Sequence, residues 1–155
     1  MKLVLIILFA FLTAALVEYF LHKFHLHKAT GHAHIRKHHK IFHPKNSYAD
    51  KTANKEEIFS GKLYVISNAV LYFPVALIVA SQSRFLGSLF FMVAFSYTIW
   101  IEVVHLFFHK PSGMFFERNI LFKKLKEHHK VHHDVYDANY GIGSSVWDWI
   151  LGSKK

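Results

Sequence analysis

The sequence predicts an all-α integral membrane bundle: about three transmembrane helices carrying a histidine-rich helical cap on the cytoplasmic side. Three observations lead there. Hydrophobic residues make up 52% of the 155 positions, yet the formal net charge is +9. The apolar and basic residues are segregated along the chain, as in a membrane protein with basic flanks. Fourteen residues are His and none is Cys, and the histidines gather at the ends of the apolar runs.

The first run, residues 3–21, is apolar except for Thr13, Glu18 and Tyr19. At ~1.5 Å per residue it reaches roughly 28 Å, one bilayer core. A cleaved signal peptide ending near Thr13-Ala14-Ala15 is the rival reading, but the apolar run continues past that point into a histidine cluster. Residues 63–80 form a second span, with a kink expected at Pro74. A tight polar turn, Ser81-Gln82-Ser83-Arg84, leads to a third span, 85–108, so spans two and three form an antiparallel hairpin.

Between the spans the chain is basic. Thr30 is placed to cap a short helix running to His43, which Pro44 would end. Asn46 to Ser60 reads as a loop with a helical turn. Residues 114–133 read as an amphipathic helix at the membrane surface, and Ala138 to Ser153 as a packed loop. Residues 1–155 are taken as one domain, with 22–62 and 109–155 forming the cap. Those two segments carry seventeen of the nineteen Lys and Arg; Lys2 and Arg84 fall on the opposite side. The cap and the C-terminal segment are therefore expected in the cytoplasm.

Every histidine lies in or beside that layer. His22, His25 and His27 end the first span. His34, His38 and His39 follow, with His32 before them and His43 after. His105 and His109 stand four apart on the third span. His129, His132 and His133 share a helix, with His128 adjacent. Three convergent imidazoles suit a transition metal. Four such clusters meeting at one surface exceed the needs of one ion and fit two, each with about four or five His ligands. Without Cys, the site cannot be an iron–sulfur cluster or a thiolate-ligated haem. Imidazole suits zinc, copper and nickel as well as iron, so the residues alone do not name the metal. Glu18, four residues before His22, and Glu102, three before His105, are each expected to accept the ring N–H of that histidine and orient it. A basic membrane anchor binding anionic lipids would explain the charge but not the histidine spacing.

The order H-x4-H (His22, His27), H-x3-HH (His34, His38, His39), H-x3-H (His105, His109), H-x2-HH (His129, His132, His133) resembles the membrane fatty acid hydroxylase/sterol desaturase superfamily. Glu18-Tyr-Phe-Leu-His22-Lys is similar to that family's E-[YW]-x-x-H-[RK]. Asn139-Tyr-Gly, followed by Trp147-Asp148-Trp-Ile-Leu-Gly152-Ser, is similar to its N-[YF]-G…W-D-x-[LI]-[FL]-G-[TS]. The His22-to-His34 spacing also resembles the beta-carotene hydroxylase branch. The resemblance implies two iron ions held by these ten histidines, O2 as co-substrate, and hydroxylation or desaturation of a lipid C–H bond. It also implies a separate electron donor, a ferredoxin, cytochrome or reductase; no flavin, nicotinamide or haem fingerprint is present in the chain. No nucleic-acid partner is expected.

Two departures stand out. Many relatives have H-x2-HH where this chain has His34, His38 and His39, and His39-Lys-Ile-Phe42-His43 offers a second frame, which leaves His43 a reserve ligand. His25, His32 and His128 are expected outside the ligand set, and Asp148 is expected to support it by folding the tail back. Four spans are common in the family and three are legible here. Zinc as occupant, serving a non-oxidative lipid reaction or metal handling, is the alternative. Which lipid, and whether it is hydroxylated or desaturated, stays open.

Overall fold

The computed structural model describes residues 1–29, 34–43, 45 and 47–155. Helix α1 (Lys2–Phe20) runs without a break into a π-helical stretch, Leu21–Ala29. A second π-helical stretch covers Ile35–His39. Then come α2 (Lys62–Ala80), α3 (Arg84–His109), α4 (Ile120–Asp134) and the short α5 (Val146–Ile150), with single 3-10 turns at Lys55–Glu57 and Phe115–Arg118. No strand occurs among the described residues. Three helices are long and apolar enough to cross a membrane: Lys2–Lys28, Lys62–Ala80 and Arg84–His109. The chain is thus an all-α membrane protein with a histidine-rich end.

The bundle is built on α3, which packs against both α1 and α2. On α1 and the π-helical stretch that continues it, Ala10, Ala14, Glu18 and His22 fall every fourth residue and are all fully buried. The two alanines let the α3 backbone approach closely, as small residues do between membrane helices. Phe90 and Ala94 of α3, also fully buried, belong to the same core. The buried stripe of α2 is polar: Tyr64, Asn68 and Tyr72 precede Ala76. Asn68 Nδ2 donates to the Tyr64 carbonyl at 2.9 Å, and the Tyr72 hydroxyl lies 2.8 Å from Asn68 Oδ1 and 3.0 Å from Thr98 Oγ1 of α3. Polar side chains within a span face the bundle, where they find partners. The outer faces, among them Val4, Leu8, Val70 and Ile78, are apolar and exposed, as hydrocarbon surroundings require.

Helix α2 continues through Pro74, so the expected kink does not interrupt it. Ser83 caps α3 at the tight turn, its hydroxyl accepting from Leu86 N–H. Gly87 is required there: a Cβ would stand 2.5 Å from the Ala80 Cβ.

The cap departs from expectation in two places. The helix expected from Thr30 to His43 has both its ends, Thr30 and Pro44, outside the described residues. Its described part is π-helical and stops at a turn over Lys40–Phe42. The Lys40 N–H donates to the Ile35 carbonyl at 2.9 Å, a five-residue reach. The tail is packed as expected, yet it is not confined to the cap. Ile142 is buried in the main core, and Trp147 Nε1 donates to the Leu12 carbonyl at 2.9 Å, midway along α1. Helix α4 starts at Ile120 rather than at Met114, after the 3-10 turn Phe115–Arg118, because Asn119 is extended and caps it, its Oδ1 accepting from Leu121 N–H at 2.8 Å.

Candidate metal centre

The C-terminal ends of α1 and α3 bring their histidines to one end of the bundle, and α4 lies across it. There the imidazoles sort into two adjoining groups. In the first, His38, His105, His109, His129 and His133 each offer a ring nitrogen within 4.8 Å of all the others; His22, His27, His34 and His39 do the same in the second. His132 stands beside the second group. Its Nε2 is 3.1 Å from His27 Nε2, and its ring centroid is 4.5 Å from that of His22 and 4.7 Å from that of His39. The groups abut where the His39 ring stacks on His133 at 4.3 Å.

Helix type decides membership. His105 and His109, like His129 and His133, are four apart on α-helices, so each pair shares a face. His22 and His27, like His34 and His39, are five apart along π-helical stretches, whose i→i+5 repeat aligns that spacing instead. Adjacent residues on a helix point in different directions. His38 therefore joins the first group while His39 joins the second, and His133 joins the first while His132 joins the second. The three histidines of α4, expected on one face, straddle both groups.

Backbone carbonyls brace the rings. His38 Nδ1 donates to Glu57 O at 2.9 Å and His109 Nδ1 to Tyr48 O at 2.8 Å. In the second group His22 Nδ1 donates to Tyr140 O and His132 Nδ1 to Ala138 O, both at 2.6 Å. A carbonyl only accepts, so each of these Nδ1 atoms carries the proton and Nε2 is left with a free lone pair.

Burial pushes the His38 imidazole down to about 4. Burial, reinforced by repulsion among neighbouring rings, holds His34, His39, His129, His132 and His133 well below the usual histidine range. These rings are neutral at physiological pH, the state that ligates metals.

The donor set fits metal ions. Of the nine buried side-chain polar atoms without a partner among the described residues, seven are imidazole nitrogens: one each on His22, His34, His105, His129 and His133, and both on His39. Such groups cost stability unless something satisfies them. Nε2 atoms also converge in pairs: His38 with His105 at 3.0 Å, His109 with His129 at 3.2 Å, and His129 with His133 at 3.0 Å. Two nitrogens bound to one ion at about 2.0–2.1 Å sit roughly 3 Å apart.

The carboxylates do not do what their spacing suggested. Glu18 does not reach His22. Its Oε2 accepts from the Tyr97 hydroxyl at 2.5 Å, and its Oε1 accepts from Ile142 N–H at 2.6 Å and Gly143 N–H at 3.0 Å. Glu102 does not reach His105; it accepts from Ser60 N–H at 3.2 Å, and His105 Nδ1 has no partner. In both cases a partner distant in sequence outcompetes the neighbour one turn on. Asp148 accepts from Tyr140 N–H at 2.7 Å, Gly141 N–H at 2.8 Å, Ser153 Oγ at 2.8 Å and His128 Nε2 at 3.0 Å. Burial alone would raise its carboxyl, but these bonds hold it below the usual range. Glu18 and Asp148 thus clamp four successive amides, residues 140–143, and present the Tyr140 carbonyl to His22.

His25 and His43 lie in neither group; His43 Nδ1 accepts from Lys45 N–H at 3.2 Å. His32 lies outside the described residues. Sequence reasoning missed Tyr48, Glu57, Ala138 and Tyr140, which act through main-chain carbonyls that any residue supplies. It also missed Tyr97, whose register against Glu18 depends on how α1 meets α3. Phe42, at 4.5 Å from the His109 ring, packs where a histidine frame was considered.

The chain matches the model of one family, described as Fatty acid hydroxylase, over residues 7–153. No curated protein and no solved structure matches it. That match spans nearly the whole chain, most of the first candidate span, the whole of the other two and all ten clustered histidines: the protein belongs to the fatty acid hydroxylase family, within the membrane fatty acid hydroxylase/sterol desaturase superfamily.

Proposed function

We propose that this protein is a membrane di-iron hydroxylase that inserts one oxygen of O2 into a lipid C–H bond. The observation that carries the proposal is the division of ten buried or half-buried imidazoles into two groups of five. His38, His105, His109, His129 and His133 would hold one iron; His22, His27, His34, His39 and His132 would hold the other. Two irons there would supply O2 activation, with two electrons and two protons from a separate ferredoxin, cytochrome or reductase completing the reduction of the second oxygen to water.

The protein's own residues set up that chemistry. The carbonyls of Glu57, Tyr48, Tyr140 and Ala138 fix four rings as Nδ1–H tautomers with Nε2 turned inward. Glu18 and Asp148 hold the tail loop over the second group and help exclude water. The outer faces of the three spans offer the lipid a route from the hydrocarbon. Seventeen Lys and Arg flanking the histidine end, against two beyond the opposite ends of the spans, favour a cytoplasmic face for the centre, where soluble electron donors reside.

Metal analysis and lipid analysis test the reading together. Purified protein should carry two irons per chain, and cells making it should accumulate a lipid heavier by one oxygen. His109→Ala should halve the iron and abolish the product. Full iron and full activity in that variant would remove His109 from the ligand set; zinc in place of iron, with no oxygenated lipid, would overturn the oxygenase.

A further inference from the structure

A hollow of about 620 Å3 runs between one flank of α4 and the end of the tail. Four lysines line it: Lys123 and Lys124 from the helix, Lys154 and Lys155 from the tail. Ile120 and Val131 give it an apolar wall. The one carboxylate among its lining residues, Glu127, is shared with Lys130 at 3.9 Å. Four ammonium groups around one hollow repel one another, and an anion between them turns that repulsion into attraction. The tail lysines are held in place by their main chain. Lys154 N–H donates to the Asp148 carbonyl at 3.0 Å and Lys155 N–H to Asn139 Oδ1 at 2.8 Å, while Asn139 Nδ2 donates to the His128 carbonyl of α4 at 3.0 Å.

The residues beside the lysines narrow the kind of anion. Ile120 and Leu121, at the start of α4, are exposed, and so are Trp149, Ile150 and Leu151 just before the tail lysines. Trp147 reaches the Leu12 carbonyl, midway along a candidate span, so the tail descends to bilayer depth before it returns to Lys154. Exposed apolar side chains that give way to lysines, on two separate elements, mark the boundary between hydrocarbon and headgroups. An acidic protein would meet the lysines from the water and leave those apolar side chains uncovered.

We infer that this hollow binds the headgroup phosphate of an anionic phospholipid, with the acyl chains against Ile120 and the exposed side of α5. Held by Lys123 and Lys124 on one side and by Lys154 and Lys155 on the other, the phosphate ties the end of the tail to α4. The tie reaches the metal centre. Asp148, whose carbonyl holds Lys154, also holds the Tyr140 amide, and the Tyr140 carbonyl orients His22. Anionic lipid therefore steadies the second histidine group and not the first. This last step rests on the two-metal reading; the binding site itself does not.

The test uses iron-loaded full-length protein in vesicles of phosphatidylcholine, alone or mixed with phosphatidylglycerol. A diazirine-bearing phosphatidylglycerol is the photoprobe and the matching phosphatidylcholine its control. Labelled positions are mapped by mass spectrometry, and iron release to a chelator is followed in the same vesicles. Phosphatidylglycerol should label residues 120–131 and 145–155 several-fold more than phosphatidylcholine does. It should slow iron release from the second group several-fold and leave the first unchanged. Lys123→Gln, Lys124→Gln, Lys154→Gln and Lys155→Gln combined should abolish both preferences. The same change at four other exposed cap lysines, Lys45, Lys51, Lys55 and Lys62, should abolish neither. Equal labelling by the two lipids would overturn the site and leave the lysines to an acidic protein. Equal loss in the two combined variants would reduce it to the general basic surface, and displacement of the label by soluble glycerol phosphate would make the occupant a free phosphate; either overturns the lipid. Preferential labelling without an effect on iron release would uphold the site and remove its link to the second group. Preferential labelling of a protein that takes up no iron would uphold the site and remove the two-metal reading.

Discussion

The two histidine groups solve the same coordination problem with different backbones. In the first, both main pairs sit at i, i+4 on α3 and α4, ordinary α-helices whose hydrogen bonding already aligns the rings. All five of its members are buried. In the second, both main pairs sit at i, i+5 on π-helical stretches, and His27 and His34 are only half-buried. A π turn is far rarer than an α turn and is frequent at functional sites. The first group is therefore pre-formed by local structure, whereas the second depends on what is laid over it. That covering is the tail loop, clamped by Glu18 and Asp148. The first group is braced instead by Glu57 and by residues 48–50, through His109 Nδ1 to Tyr48 O and Asp50 N–H to His109 O at 2.7 Å.

The largest test of this contrast is to remove the π register. Inserting an alanine after the exposed Phe24 would set His22 and His27 six residues apart, a spacing that neither an α turn nor a π turn brings to one face. Iron binding by the second group should be lost and turnover abolished, while iron at the first group remains. Spectroscopy of the remaining site would reveal the split; two irons retained at full occupancy would show that the π spacing does not matter.

A smaller effect is expected from the clamp. Asp148→Asn keeps the side-chain size but weakens the hold on Tyr140 and Gly141. We expect about a tenfold loss of metal affinity confined to the second group, seen by titration with a competing chelator. An equal loss at both groups would mean that the tail braces the whole centre. The smallest effect should come from the first group's bracing. Tyr48→Phe removes one hydrogen bond, from the hydroxyl to Lys126 O at 3.1 Å, while leaving the Tyr48 carbonyl on His109. Thermal unfolding in detergent should show a loss of about 1 kcal/mol with both irons in place.

Much of this arrangement is legible in the residues and some is not. The spans, the histidine end and the ten clustered imidazoles follow from apolar runs and side-chain chemistry. The division between groups was also present, unrecognised, in H-x4-H against H-x3-H: one spacing aligns on a π turn, the other on an α turn. The partners of Glu18 and Glu102 could not be read. Spacing along one helix offers only local candidates, while the bonds that form run to Tyr97, Ile142, Gly143 and Ser60, positions set by tertiary packing. The tail showed its Asn139-Tyr-Gly and Trp147-Asp148 motifs plainly. Its descent beside α1 to Leu12 has no sequence signal, because the contact is a main-chain carbonyl.

That descent bears on how the protein is made. The histidines of the second group emerge early in translation, but the amides that grip Glu18 lie 124 and 125 positions after it, and the carbonyl that orients His22 lies 118 after it. Contacts of such separation cannot form until the later residue has been made. A growing chain therefore carries His22 and Glu18 long before the residues that hold them in place exist. The second group is thus completed by the last part of the chain to be made, whereas the rings of α3 and α4 in the first group are aligned by their own helices.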